Sequence, residues 1–167
     1  MIKQVSKLTK LLFIIYCVLL AWIVLFKLTI SISDIYGGRS INLIPFYYEN
    51  EVSFHFKEII YNVIIFIPLG IFLKMYEKEN KNIILIGLIV SISFEISQFI
   101  FKIGASDITD IITNTFGATM GVLIYNLLNK FIKNKLKLNK VINILGLIFL
   151  SIFLLLAFLI ILYNVLL

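Results

Sequence analysis

The sequence predicts an all-α membrane protein, a bundle of about five transmembrane helices. Three observations predict it. The 167 residues are 61% hydrophobic and only 14% charged, with a mean hydropathy of +1.07, whereas a soluble domain covers its core with roughly a quarter charged residues. Five apolar runs each reach the roughly 20 residues that a helix needs to cross about 30 Å of hydrocarbon. The basic residues sit in short clusters between those runs, where they set membrane topology.

The first run, from Leu11 to Ile30, follows the basic segment MIKQVSKLTK and has no small-residue cleavage site, so it reads as a retained helix. The second runs from Glu58 to Tyr76, the third from Asn82 to Phe101, the fourth from Asp107 to Phe131 and the fifth from Val141 to Tyr163. Eleven lysines precede the first helix or lie in the second-to-third and fourth-to-fifth connections, against four basic residues, Lys27, Arg39, Lys57 and Lys102, on the other side. The positive-inside rule then predicts the N-terminus inside and the C-terminus outside. The acids divide the opposite way, two inside and seven outside.

The long outer connection, 31–57, carries RSINLIPF and then Tyr47, Tyr48, Phe54 and Phe56, an aromatic density that fits a segment lying at the level of the lipid headgroups. Arg39 is the sole arginine, which removes a multi-arginine clamp and argues against a nucleic-acid partner. Cys17 and His55 are single, which excludes an intrachain disulfide and any His- or Cys-rich metal site. No cofactor and no metal is expected.

Intramembrane polar residues cluster toward the outside. Glu95 and Gln98, with Ser91 one turn earlier, share a face of the third helix, and Glu95 lies about 9 Å below its outer end at 1.5 Å per residue. An ionised carboxylate there costs about 2.5 to 3.5 kcal/mol unless paired, protonated or hydrated, so it is read as functional first. In the fourth helix Asp107, Asp110, Asn114, Gly117 and Gly121 form a stripe about 80° wide at 100° per residue. The two aspartates suit the positive start of that helix and could equally be plain caps. Gly117 and Gly121 form a GxxxG step suited to close helix packing. The second helix brings Asn62 to a similar depth, with Pro68 deeper, where a kink is expected. Arg39, Asn42, Asn62, Glu95, Gln98, Asp107, Asp110 and Asn114 can therefore line one polar pocket open to the outside. Asn62 and Asn114 could also serve only as interhelical hydrogen bonds, worth about 0.6 kcal/mol each.

RSINLIPF at 39–46, NVIIFIPLG at 62–70, Glu95-x-x-Gln98, and Asp107-x-x-Asp110 followed by Asn114-Thr115-x-Gly117-Ala118-x-x-Gly121 together resemble the VanZ-like family, in order and in spacing. The resemblance implies a multi-pass protein of the bacterial cell membrane, similar to one associated with resistance to the glycopeptide teicoplanin. It implies a family domain over 1–135 with an added C-terminal helix over 136–167. Many members carry an arginine just before the first aspartate; this chain reads Gly104-Ala105-Ser106 there, with Lys102 or Arg39 as substitutes.

Three functions follow as expectations. The first is envelope protection, in which the pocket binds a lipid-linked or cell-wall ligand or the antibiotic, with membrane lipids as surroundings. The second is an intramembrane enzyme that modifies a lipid-linked intermediate, with Glu95 as acid or base and Arg39 stabilising negative charge; it lacks an evident nucleophile. A transporter is disfavoured, because the inner halves of helices two to four carry little polar lining.

Overall fold

The computed structural model describes residues 5–26, 40–47 and 52–166. It contains helices α1 (Lys7–Phe26), α2 (Val52–Met75), α3 (Asn80–Phe101), α4 (Ile108–Ile132) and α5 (Lys135–Leu166), and strands β1 (Ser40–Asn42) and β2 (Ala105–Asp107). All five helices are long and apolar enough to cross a membrane. The protein is thus an all-α membrane protein, with helix bounds that differ from the hydropathy windows mainly at charged ends. α1 begins at Lys7 rather than Leu11, and α5 at Lys135 rather than Val141. Lysine stems lie along apolar surface while their ammonium groups stay in water, so helix continues through residues that a hydropathy count trims away.

Because lipid tails are as apolar as leucine, helices in a membrane associate through close packing and interhelical hydrogen bonds. α2 and α4 form the most extensive pair. A side chain on Gly117 would overlap the Val63 carbonyl, one on Gly121 the Ile67 carbonyl, and one on Gly70 the Ala118 carbonyl. The bare stripe of α4 therefore lies directly on the backbone of α2, and α2 runs unbroken through Pro68. One turn before that proline, the Tyr16 hydroxyl of α1 donates to the Ile65 carbonyl at 2.8 Å, a tie between α1 and α2.

Around this pair, Phe66, Leu69, Leu73, Ile83, Ala118, Val122 and Leu20 make the core, and Leu12, Phe72, Met75, Tyr125 and Leu138 make a second cluster nearer the lysine-rich end. α5 is peripheral, with 6% of its apolar window buried. It is tied to α1 by Asn143, whose amide nitrogen donates to the Thr9 hydroxyl at 2.9 Å.

The two strands were not expected from the sequence. β1 and β2 pair in parallel, with Asn42 opposite Asp107. The segment 40–46 is thereby attached to the start of α4, on the same end of the bundle as the C-termini of α1 and α3. Of the expected headgroup-level segment, Leu43, Ile44, Phe46, Tyr47 and Phe56 are exposed. Arg39 and Tyr48 lie outside the described residues, and the Phe54 side chain is not described.

Candidate functional site

The start of α4 organises the acidic end. Asp107 stands at the N-cap in an extended conformation, and its Oδ1 accepts from the Thr109 N–H at 2.7 Å. That bond satisfies one of the donors that a helix start leaves open. Its backbone N–H donates in turn to Glu95 Oε2 at 2.9 Å, while the Ser106 hydroxyl donates to the Glu95 carbonyl at 2.8 Å. Glu95 is 5% exposed. A carboxylate from α3 is thus placed at the positive end of the α4 dipole, an arrangement that stabilises negative charge.

On the other side of the cap, the Asn42 amide nitrogen donates to Asp107 Oδ2 and to the Tyr47 carbonyl, both at 3.1 Å. Asn42 Oδ1 accepts from the Ile44 N–H at 3.1 Å, which folds the chain back. Phe46 follows at φ 57, a left-handed conformation uncommon for an aromatic residue, and its N–H donates to the hydroxyl of the buried Thr109 at 3.1 Å. Strand pairing and Thr109 together hold an apolar and aromatic tip against the acidic layer.

One turn into α4, Asp110 Oδ1 accepts from the Asn62 amide nitrogen of α2 at 2.7 Å. Deeper still, the buried Asn114 donates to the Ser91 hydroxyl of α3 at 2.9 Å, and Ser91 donates to the Asp110 carbonyl at 3.5 Å. Asn42, Glu95 and Asp107 form one hydrogen-bonded group and Asn62, Asp110 and Asn114 a second; the Thr113 hydroxyl, 2.9 Å from the Thr109 carbonyl and 3.3 Å from the Asp110 carbonyl, joins them into one layer across β1, α2, α3 and α4. Its members differ in exposure. Glu95 and Asn114 are buried, whereas Asn42, Asn62, Asp107 and Asp110 are half-buried and reach the surface of the layer.

Gln98 does not join this layer. Its amide nitrogen donates to the Val24 carbonyl at 3.0 Å, so it ties α3 to the end of α1. The three-residue step from Glu95 puts both on the buried face of α3, but the Gln98 amide turns to the Val24 carbonyl of α1. Arg39 lies outside the described residues and immediately precedes β1. Lys102 is exposed at the C-cap of α3. Among the described residues no group of three or more His, Cys, Asp or Glu side chains is arranged to hold a metal ion.

Ser106 and Thr109 were missed by sequence reasoning. Both flank Asp107, and a hydroxyl beside a cap aspartate at a helix start is the signal that marks them as partners of neighbouring backbone groups.

The family model for VanZ/LLP1 matches residues 13–129. Protein VanZ of Enterococcus faecium is 46% identical over 140 residues, covering 81% of this chain and 84% of that protein. No solved structure matches the chain. On the extent of both matches, the chain belongs to the VanZ/LLP1 family.

Proposed function

We propose that the acidic end is a ligand site on the outer face of a bacterial cell membrane. Through it the protein protects the envelope and contributes to teicoplanin resistance by binding a lipid-linked or cell-wall ligand, or the antibiotic itself. The observation that carries this reading is the pair of half-buried carboxylates, Asp107 and Asp110, held by Asn42 and Asn62 beside the exposed tip of Leu43, Ile44, Phe46 and Tyr47. Carboxylates and amides offer hydrogen bonds to a polar headgroup or peptide, while the tip offers apolar contact at the lipid surface. Arg39, one residue before β1, would add the positive charge that an anionic group requires.

The enzymatic alternative gains less support. Glu95 Oε2 accepts from the Asp107 backbone N–H, a contact that gives this carboxylate a positioning duty at the cap. The binding reading is tested in a strain whose teicoplanin susceptibility changes on deletion of the gene. Asp110→Asn and Arg39→Ala, each present at normal abundance, are expected to reproduce most of the deletion phenotype. Wild-type susceptibility with both variants would remove the layer from the function.

A further inference from the structure

A second polar feature lies at the opposite, lysine-rich end, and the acidic layer makes no use of it. A cleft of about 380 Å³ opens between the starts of α1 and α5 and the α2–α3 turn. Its α5 wall is Leu136, Asn139, Lys140, Asn143 and Ile144, residues spaced three and four apart that share one helix face. Its floor is sealed by hydrogen bonds. Thr9 and Asn143 are both buried and bonded to each other, and the Ser6 hydroxyl lies 2.8 Å from that of Thr9.

The rim is rich in donors. Lys135 reaches Glu77 at 3.1 Å, which balances one charge, while Lys140 is exposed. The Tyr125 hydroxyl donates to Asn139 Oδ1 at 2.9 Å, which orients the amide so that its nitrogen remains a donor. Leu8, Leu136 and Ile144 supply apolar wall beside these donors. Among the described residues this end carries ten lysines and two glutamates.

We infer that this cleft binds the headgroup of an anionic phospholipid from the leaflet facing the lysine-rich end. The phosphodiester would lie against Lys140 and the Asn139 amide, with an acyl chain along Leu136 and Ile144. Three features favour a lipid over other occupants: position at helix ends, excess positive charge, and apolar wall continuous with the donors. α1 and α5 share few other contacts, so a lipid seated between them would also clamp the peripheral helix. This inference is independent of the function proposed for the acidic end, because the two sites lie at opposite ends of the bundle.

Native mass spectrometry of the purified full chain in detergent tests it, with phosphatidylglycerol and phosphatidylcholine of identical acyl chains titrated separately. Phosphatidylglycerol is expected to bind about fivefold more tightly, as one lysine contact at a membrane surface allows. Lys140→Gln should abolish that preference, whereas Lys133→Gln, which removes the same charge from an exposed position outside the cleft, should preserve it. Equal binding of the two lipids, or equal loss in both variants, would overturn the inference in favour of diffuse surface charge. Displacement of phosphatidylglycerol by millimolar inorganic phosphate would overturn it in favour of a free-anion site.

Discussion

Gly121→Val is expected to destabilise the bundle by at least about 3 kcal/mol, the upper part of the range for overpacked interiors. A β-carbon at this position would overlap the Ile67 carbonyl and approach the Gly70 Cα to 3.0 Å. Both obstacles are backbone, so no rotamer change relieves them and α4 must move away from α2. That displacement would separate Asn62 from Asp110, whose 2.7 Å bond crosses the same helix pair. Thermal unfolding in detergent should show a large drop in Tm, accompanied by low abundance in cells. Gly146→Ala is the matched control. Its β-carbon would meet Leu12 Cδ1 at an ordinary 3.6 Å, so stability should hold or rise slightly.

Glu95→Ala is expected to cost about 2 to 3 kcal/mol, because it strips the acceptor from the Asp107 N–H in a buried setting. The damage should spread. Asp107 is at once the cap of α4 and the partner of Asn42, so the β1–β2 pairing and the exposed tip depend on it. Glu95→Gln divides the two functional readings. A glutamine oxygen can still accept from the Asp107 N–H, so a positioning role predicts near-normal Tm and near-normal teicoplanin susceptibility. A stable but inactive Gln variant would instead show that the charge of Glu95 itself is needed, for proton transfer or for a further electrostatic contact.

The five helices were legible because their apolar runs match the thickness of a bilayer, a constraint that acts on the chain without tertiary information. The glycine stripe of α4 was legible for a related reason: helices that approach to backbone contact need small residues at steps of four. Asp107 could be read as a cap from its place at the start of the fourth run, and its carboxylate does accept from Thr109. The β1–β2 pairing was not legible. SIN and ASD are three residues each, too short to alternate, and they pair only because α3 and α4 bring them side by side. Spacing alone places Gln98 with Glu95, because the two share a face of α3. Its actual partner, the Val24 carbonyl, is a backbone group that no side-chain pattern reveals. The tie between Thr9 and Asn143 does have a signal in the sequence, since an asparagine in an apolar run marks an interhelical bond.

The function proposed here requires the acidic layer and its apolar tip to face the cell exterior. Cysteine accessibility in intact cells tests that directly, using Ile44→Cys and Lys78→Cys separately in a Cys17→Ser background. Both positions are exposed, at opposite ends of the bundle. A membrane-impermeant maleimide should label Cys at position 44 in intact cells, and at position 78 only after permeabilisation. Labelling of position 78 but not 44 in intact cells would put Glu95, Asp107 and Asp110 on the cytoplasmic side, beyond reach of any cell-wall ligand or external antibiotic.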